Sequence, residues 1–384
     1  MAACTKCVPA SASGPSSPDQ PDQMAARSVG VEEELLLVDP DSGQALAQSA
    51  AVLRRVPDSD GVALASELTR QQIETNTRPC DSLEGLASEL RRGRRAAADA
   101  ADSRGAAVVA VATSPLPADA SITSSPRYQR MVDQFGLTAE EQLTCGCHVH
   151  VRIESDAEGV AVLDRIRGWL PCLLALSANS PFWQGQDTGY ASFRSQVWGR
   201  WPSAGPTELF GSPEIYHATT QAMVESKTLL DLGMVYFDAR LSREHPTVEV
   251  RVADVCLLAD DAVLLAALSR ALVETAARSW QADEPPAPIR TELLRLAGWR
   301  AARSGLGGDL IAVTGRPAPA PQVLRALLEH VQPVLAEYGD LEIVEDLVAA
   351  VLDRGTGATA QRRIYCRSGQ LTDVVGHAVK ATMS

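Results

Sequence analysis

Hydrophobic and polar residues alternate in three valine-rich stretches of the chain, and this alternation predicts three β-strands. The stretches are VGVEEELLLV at 29–38, TCGCHVHVRI at 144–153 and TVEVRVADV at 247–255. Successive side chains of a strand point to opposite faces, so each stretch has one apolar face and one face with a polar pair. The pairs are Glu32 and Glu34, His148 and His150, and Glu249 and Arg251. The pattern therefore predicts a single sheet with one face that packs and one wet face.

Between these strands, the pattern predicts further strands and two helical stretches. Residues 62–77 are expected to form one or two strands that carry Glu67 and Glu74. Leucines at helical spacing predict a helix over 82–104. Its four neighbouring arginines are expected to face solvent; they are Arg91, Arg92, Arg94 and Arg95. Residues 157–179 form an apolar helical stretch in which Pro171 predicts a kink.

The second half of the chain begins with an irregular segment and ends with helices. Residues 181–202, which include Arg194 and Arg200, combine aromatic residues and glycines without periodicity, as functional loops do. A short strand over 235–241, which carries Arg240, is predicted to pair with 247–255. Helical patterns cover 260–280 and three segments within 290–354. We therefore expect one domain over residues 28–380 with a helical C-terminal part.

Composition and charge narrow the class of protein. The chain has 384 residues, of which 45% are hydrophobic, as in globular proteins. Its formal net charge of -13 argues against a nucleic-acid partner, which would need a basic face. No apolar run reaches the roughly 18 residues of a membrane span.

Residues 1–27 are rich in Ser, Pro and Ala and are predicted to be a disordered leader. The scattered cysteines predict reduced thiols and a cytoplasmic location.

The polar side chains of the predicted strands form a set typical of a metal site. They are Glu32, Glu34, Glu67, Glu74, Glu249, His148 and His150. A set rich in oxygen with some nitrogen favours Mg²⁺ or Mn²⁺ over Zn²⁺. Glu32 and Glu34 would lie about 6.6 Å apart along a strand, where their repulsion is roughly 2 to 3 kcal/mol at an effective dielectric near 20. Either a cation lies between these carboxylates, or water screens them at a sheet edge.

Six blocks of the sequence also occur together in a known family. They are GVEEEL at 30–35, ETNT at 74–77, CGCHVHV at 145–151, YASFRSQVWGRWP at 190–202, TVEVRVADV at 247–255 and GTGATAQRR at 355–363. In this order, from about residue 28 to residue 380, the chain resembles the glutamate–cysteine ligase type 2 family, also called carboxylate–amine ligases. The leader lies outside this resemblance.

The resemblance implies both a fold and a reaction. The implied α+β fold is a curved, mainly antiparallel β-sheet funnel with helices packed outside, as in glutamate–cysteine ligases and glutamine synthetase. The implied reaction uses ATP and Mg²⁺ or Mn²⁺. The γ-carboxylate of glutamate attacks the γ-phosphate of ATP, and an amine such as that of cysteine then displaces phosphate to form an amide. A homodimer is a further hypothesis from the resemblance, which a monomeric mass by light scattering would contradict.

The resemblance also implies roles for individual residues. It assigns metal ligation to Glu32, Glu34, Glu67, Glu74 and Glu249. Glu249 is also implied to be catalytic together with Arg251, whose charge would stabilise the transferring phosphoryl group. Contacts to nucleotide or substrate are implied for His148, His150, Arg194, Arg200 and Arg240. For each of the three arginines, a structural salt bridge is the alternative to a ligand contact. The sequence does not distinguish which histidine contacts phosphate and which contacts metal.

Three other functions are compatible with the same residues. A ligase of the same mechanism could use a different amine acceptor. A metal-dependent hydrolase could use the same carboxylates and histidines, and it would turn over without nucleotide. A protein that only binds nucleotide or metal would show binding without turnover. The number of clustered carboxylates argues against this last function, because unpaired buried carboxylates are costly to keep together.

Overall fold

The three alternating stretches lie side by side in one sheet of seven strands. A computed structural model of the protein describes residues 26–54 and 63–384. Its strands are β1 Val29–Val38, β2 Ala63–Ser66, β3 Gln72–Asn76, β4 Ala107–Val109, β5 Gly146–Arg152, β6 Phe182–Trp183, β7 Gln186–Asp187, β8 Ala239–Leu241, β9 Thr247–Asp254, β10 Asp309–Ile311 and β11 Pro317–Pro319. The large sheet has the order β2-β3-β1-β5-β9-β8, and β4 also pairs with β1. The other four strands form two hairpins, and every pairing between these eleven described strands is antiparallel.

Helices pack outside the sheet and make up most of the C-terminal part. They are α1 Ser49–Leu53, α2 Leu83–Asp102, α3 Pro126–Phe135, α4 Leu137–Glu140, α5 Asp156–Ile166, α6 Leu170–Ser177, α7 Arg194–Trp198, α8 Pro213–Glu225, α9 Ala259–Gln281, α10 Thr291–Ser304, α11 Ala320–Tyr338, α12 Leu341–Arg354, α13 Gly357–Ser368 and α14 Leu371–Thr382. The 23-residue helix α9 is buried along most of its length and contacts β1, β5, α2, α5 and α11. This curved antiparallel sheet with outer helices confirms the predicted α+β fold.

The strand register brings the predicted polar pairs together on one face. Glu32 lies opposite His148 across β1 and β5, and His150 lies opposite Glu249 across β5 and β9. Glu34 lies opposite Glu74 across β1 and β3. Directly opposed residues of an antiparallel pair share a face of the sheet. The alternation in the sequence therefore predicted the contents of the wet face correctly.

The opposite face of β1 packs against helices and contains a buried ion pair. Glu33 and Arg94 are 0% and 1% exposed, and Arg94 Nη2 lies 2.6 Å from Glu33 Oε1. Arg94 also donates to the carbonyl oxygens of Cys256 and Leu257. The prediction that Arg94 faces solvent was therefore wrong. Arg94 follows Leu90 by four residues and belongs to the buried stripe of α2.

The helical predictions are confirmed except at Pro171. Helix α5 ends at Ile166 and a separate helix, α6, begins at Leu170, with Pro171 in its first turn. Proline is tolerated there because the first N–H groups of a helix have no partner within the helix. The three helices predicted within 290–354 are α10, α11 and α12. Helices α13 and α14 follow them.

The N-terminal region is described only from residue 26 onward, so most of the predicted leader, with Cys4 and Cys7, lies outside the described residues. Arg27 is described, and its Nε lies 2.6 Å from Glu274 Oε2. The last residue of the predicted leader therefore packs against the domain. All six described cysteines are free thiols. Among the described helices, none combines the length and apolar character needed to span a bilayer.

Candidate active site

The wet face of the sheet forms a cleft that gathers most of the predicted site residues. A cavity of about 290 Å³ in this cleft is lined by Glu32, Glu34, Glu67, Glu74, His148, His150, Arg240, Glu249 and Arg251. These residues come from five strands of the sheet and from the turn between β2 and β3. Parts of the chain far apart in sequence thus meet at one polar site.

The first candidate metal centre is formed by side chains from three neighbouring strands. Glu32, His148 and Glu249 each offer one ligand atom, and these atoms lie within 4.8 Å of one another. Glu32 Oε2 lies 3.2 Å from His148 Nδ1, and Glu32 Oε1 lies 3.1 Å from His150 Nε2. The other ring nitrogen of His150, Nδ1, lies 3.0 Å from Thr247 Oγ1. Both carboxylate oxygens of Glu32 therefore have an imidazole partner.

The second candidate metal centre consists only of carboxylates. Glu34, Glu67 and Glu74 also offer ligand atoms within 4.8 Å of one another. The backbone N–H of Gly146 donates to Glu34 Oε2 at 2.6 Å, and Asn76 Nδ2 donates to Glu74 Oε1 at 2.8 Å. These donors fix the orientation of two of the three carboxylates, and most of their lone pairs remain available.

The electrostatics of the first group favour an ionised Glu32 and a neutral His148. Burial raises the pKa of Glu32, but hydrogen bonds with His148 and His150 outweigh burial and lower it. Burial and the charge of Arg251 lower the pKa of His148 to about 4. Burial also lowers the pKa of His150, but its hydrogen bond with Glu32 outweighs burial and raises it. A neutral imidazole suits a metal ligand, whereas a more basic one suits a phosphate contact.

Glu249 is held between two arginines. Arg240 Nε donates to Glu249 Oε2 at 2.7 Å, and Arg251 Nη1 donates to Glu249 Oε1. Burial raises the pKa of Glu249, but the charges of Arg251 and Arg240 outweigh burial and lower it to about 2. Each carboxylate oxygen has two lone pairs, so an ionised Glu249 can keep these partners and also ligate a cation.

The carboxylates of the second group form no ion pair with a described arginine, whereas Glu249 of the first group pairs with Arg240 and Arg251. Burial raises the pKa of Glu34 to about 7, although the charge of Arg194 opposes this shift. Burial and the charges of Glu34 and Glu74 raise the pKa of Glu67, and burial and the charge of Glu32 raise that of Glu74. A divalent cation would balance these carboxylates, and their oxygen atoms suit Mg²⁺ or Mn²⁺. The residues present therefore fit two hard cations, one in each group.

Arg194 reaches the Glu34 end of the cleft because Gly146 leaves room for it. A Cβ atom on Gly146 would lie 2.4 Å from Arg194 Nη2. The buried guanidinium donates to two carbonyl oxygens of β9 at 3.5 Å each and lies over the Trp198 ring, 5.5 Å from its centroid. Its charge acts on Glu34. The predicted ligand contact of Arg194 is therefore compatible with its position.

A buried network that the sequence did not reveal holds the segment carrying Arg194. The Asp254 carboxylate accepts hydrogen bonds from Ser180 Oγ at 2.7 Å and Ser192 Oγ at 2.8 Å. Ser180 Oγ in turn accepts from the Arg194 N–H at 3.0 Å. The register between β5 and β9 shifts next to Cys147, and Asp254 lies opposite Gly146 on the wet face. Simple alternation from Glu249 would instead have assigned Ala253 to that face.

Arg200 is the one predicted site residue that lies away from the cleft. Its side chain is 35% exposed, and its Nη1 lies 2.5 Å from Glu141 Oε2. The position of Arg200 therefore favours the structural salt bridge over a contact with nucleotide or substrate. Arg194 and Arg200 belong to the same irregular segment, where no periodicity distinguishes a buried arginine from an exposed one.

The C-terminal block GTGATAQRR packs against residues 179–194, the segment that carries Arg194. Gln361 Nε2 donates to the carbonyl oxygen of Asn179 at 2.9 Å and to its Oδ1 at 2.7 Å. Arg362 forms an ion pair with Asp187 at 2.5 Å. Asn179 lies next to Ser180, so this block acts on the position of Arg194 through packing.

Comparison with known proteins gives the same family over almost the whole chain. The family model described as Glutamate-cysteine ligase family 2 matches residues 28–380. A protein of Streptomyces avermitilis named "Putative glutamate--cysteine ligase 2-1" is 56% identical over 359 residues, which cover 93% of this chain and 99% of that protein. A protein of Frankia alni named "Putative glutamate--cysteine ligase 2-2" is 50% identical, over 93% of this chain and 97% of that protein.

Two solved structures share the fold at low sequence identity. Glutamate–cysteine ligase from Francisella tularensis in complex with AMP has a TM-score of 0.68 and 13% identity, over 94% of this chain and 89% of that chain. A bifunctional glutathione synthetase from Pasteurella multocida has a TM-score of 0.66 and 17% identity, over 94% of this chain and 53% of that chain. These two likenesses show the fold, whereas the family model and the relatives from Streptomyces avermitilis and Frankia alni show that the chain belongs to glutamate–cysteine ligase family 2.

Proposed function

We propose that the protein joins the γ-carboxylate of L-glutamate to the amine of L-cysteine at the expense of ATP, in the cytoplasm. The γ-carboxylate oxygen attacks the γ-phosphorus of ATP, and the bond to the bridging oxygen breaks to release ADP. The cysteine nitrogen then attacks the acyl carbon of the resulting acyl phosphate, and phosphate and a proton leave. The observation that carries this proposal is a cleft with two ligand groups for hard cations beside a cavity large enough for a nucleotide.

The proposed nucleotide site is a cavity of about 590 Å³ that adjoins the metal-binding cleft. The two cavities share Glu32, Glu74, His150, Glu244 and His245. This larger cavity is also lined by Arg78 and Arg152 at its exposed rim. We expect the base and ribose to occupy it, with the phosphates directed toward Glu32 and His150.

The two histidines are proposed to have different roles. His148 is buried, belongs to the first ligand group and has a lowered pKa, which suits a metal ligand. His150 borders both cavities and has a raised pKa, so a proton on it could accompany an anionic phosphate. We therefore propose that His148 ligates metal and that His150 contacts the nucleotide phosphates.

Bound Mg²⁺ or Mn²⁺ would neutralise charge on the transferring phosphates. We propose that Glu32, His148 and Glu249 hold one ion and that Glu34, Glu67 and Glu74 hold the other. Arg251 is proposed to stabilise charge on the transferred phosphoryl group, because its guanidinium lies beside Glu249 on the floor of the cleft. Arg240 holds Glu249 in place, and Arg194 is proposed to contact the donor carboxylate near Glu34.

A product assay tests this proposal. Purified protein with ATP, Mg²⁺ and L-glutamate is supplied with a panel of amines that includes L-cysteine, and ADP release and product mass are measured. We expect ADP release that depends on the amine and a γ-glutamylcysteine product.

Each other outcome identifies a different function. A γ-glutamyl product with another amine would keep the mechanism and change the acceptor. Turnover without nucleotide would indicate a hydrolase. Nucleotide binding without any turnover would overturn the proposed reaction.

A further inference from the structure

A third cavity is lined by Arg194 and shares no lining residue with the carboxylate cleft. Its volume is about 310 Å³, and it is open to solvent between α6, α7, α10, β9 and the residue before β8. The residues that matter for its chemistry are Arg194, Trp198, Asp238, Arg295 and Trp299. The activity proposed above does not account for this cavity.

Asp238 gives the cavity an unpaired acid. Its carboxylate is half-buried just before β8, and no described residue donates a hydrogen bond to it. Burial raises the pKa of Asp238 to about 6, although the charges of Arg194 and Arg295 oppose this shift. A half-buried carboxylate without a hydrogen-bond donor is partly desolvated, so a cationic ligand group that occupies the cavity would stabilise it.

Arg295 gives the same cavity an unpaired base at its exposed rim. The side chain is exposed on α10, and no described residue forms an ion pair with it. Trp198 and Trp299 contribute apolar surface to the same cavity. A cavity with aromatic walls and with a carboxylate and a guanidinium that have no hydrogen-bond partner among the described residues is complementary to the ammonium and carboxylate of an α-amino acid.

Arg194 connects this cavity to the chemistry of the cleft. Its guanidinium lines the cavity, lies against Gly146 and acts on Glu34. Its Nε has no hydrogen-bond partner among the described residues, and its two bonds to β9 carbonyl oxygens are long, at 3.5 Å. One buried side chain thus both lines the cavity and acts on a carboxylate of the second ligand group.

We propose that this cavity binds the α-ammonium and α-carboxylate of an amino-acid substrate, with the ammonium on Asp238 and the carboxylate on Arg295. The side chain or reacting amine of that substrate would then extend past Arg194 toward Glu34. This inference rests on the proposed ligase function for the identity of the substrate. Both the donor, glutamate, and the acceptor, cysteine, carry this zwitterionic group, so the test distinguishes them.

The test measures binding by calorimetry in Mg²⁺ and a non-hydrolysable ATP analogue, which makes it independent of turnover. L-glutamate and L-cysteine are titrated into the wild-type protein and into the variants Arg295→Ala and Asp238→Asn. Each amino acid is compared with analogues that lack one charge. Cysteamine and 4-aminobutyrate lack the α-carboxylate, and glutarate lacks the α-ammonium.

We expect Arg295→Ala to weaken binding of one amino acid about tenfold or more and to leave its decarboxylated analogue unchanged. Asp238→Asn should weaken the same amino acid similarly. If that amino acid is glutamate, Asp238→Asn should leave glutarate unchanged. An effect on glutamate identifies the donor site, and an effect on cysteine identifies the acceptor site. Arg295 is exposed, so its substitution leaves the fold intact.

Matched controls are Arg325→Ala on α11 and Asp346→Asn on α12, both at exposed positions outside the three cavities. Equal affinity of both amino acids for wild type and both cavity variants would overturn the inference. Equal loss of amino acid and truncated analogue would also overturn it, because the lost contact would not involve the zwitterion. Absence of ADP release by wild type in the product assay would instead reject the ligase reaction, and the binding result would stand separately.

Discussion

At the scale of single residues, the two ligand groups make different demands on Glu34 and Glu249. Glu34 belongs to the group without a balancing cation, whereas Glu249 already has two arginine partners. Replacing either carboxylate by an amide removes a ligand charge and keeps the shape of the side chain. An amide variant at either position therefore tests the loss of metal ligation without a change in side-chain packing.

We expect Glu34→Gln and Glu249→Gln each to abolish ligase turnover, because each removes an anionic ligand from one candidate metal centre. Circular dichroism should show an unchanged fold. Glu345→Gln, at an exposed position on α12, is the control and should keep full activity. Full activity in either site variant would remove that residue from the metal centre.

We expect Gly146→Ala to displace Arg194, because the new Cβ would lie 2.4 Å from Arg194 Nη2. Stability should fall by roughly 1 to 3 kcal/mol, and turnover should fall at least about tenfold, the equivalent of one misplaced charged contact. Urea unfolding and steady-state kinetics measure the two effects. Gly307→Ala, at an exposed position where a Cβ would meet nothing within 4 Å, is the matched control. Wild-type kinetics in Gly146→Ala would show that the position of Arg194 does not matter for turnover.

At the scale of elements, α13 and the segment 179–194 form one unit behind β9. A Cβ on Gly357 would lie 2.1 Å from Asn179 Oδ1, so only glycine fits at the start of α13. The contact passes from Asn179 to Ser180 and from there to the backbone of Arg194. A substitution in α13 should therefore change the position of Arg194 near the cleft.

We expect Gly357→Ala to lower the free energy of unfolding by roughly 1 to 3 kcal/mol, since backbone or Asn179 must shift. Gly376→Ala, in the middle of α14 with no atom within 4 Å of its Cβ, should instead be neutral or slightly stabilising. Urea denaturation compares the two alanine variants directly. Equal stability of both would mean that α13 does not press on Asn179.

Strand alternation carried most of the sequence-based prediction of the fold and site. It placed Glu32, Glu34, His148 and His150 on one face, because a paired strand has a repeat of two residues. It failed at Asp254, because the irregular register between β5 and β9 changes which face a residue occupies after Glu249. A local irregularity of this kind depends on the pairing of two strands and has no signature in one stretch of sequence.

Helical periodicity carried less information about charged residues. Arg94 lies on the same helical stripe as Leu86 and Leu90, and that position was the available signal for its burial. The sequence did not show that Glu33 would compensate its charge across the fold. Arg194 and Arg200 could not be separated at all, since their segment has no repeat. The third cavity was also out of reach, because α10 and β8 meet only in the folded chain.

At the scale of the whole molecule, the Arg94 ion pair ties four parts of the chain together. Arg94 on α2 binds Glu33 on β1, the carbonyl oxygens that follow β9, and the carbonyl oxygen of Thr382 in α14. Its hydrogen bonds therefore link the N-terminal strand to the C-terminal helix.

We expect Arg94→Met to destabilise the protein by roughly 3 to 5 kcal/mol, because Glu33 is left buried without a partner. The double variant Glu33→Leu with Arg94→Met should recover much of this loss, since it removes both charges. Chemical denaturation of the two single variants, the double variant and wild type gives the coupling energy. A double variant no more stable than Arg94→Met would contradict the ion-pair explanation.

We expect Mn²⁺ or Mg²⁺ to raise the melting temperature and a chelator to reverse the effect, because a cation balances the carboxylates of the second group. Burial raises the pKa of Glu34 to about 7. Its proton therefore competes with the cation below that pH, and the metal-induced shift should be larger at pH 8 than at pH 6. Differential scanning calorimetry measures both shifts. Glu34→Gln should reduce this pH dependence, while Glu67 and Glu74, whose pKa values are also raised, retain part of it. In the wild type, a shift of equal size at both pH values would exclude Glu34 as a ligand.

The three consecutive glutamates of β1 fix the spacing between the two ligand groups. Glu32 and Glu34 serve different ligand groups on one face, while Glu33 between them belongs to the core on the other. The distance between the two groups is therefore set by the strand repeat, about 6.6 Å for two residues. A substitution in β1 changes one ligand group at a time. An inserted or deleted residue would instead move the side chains beyond it from the core face to the cleft face and from the cleft face to the core face.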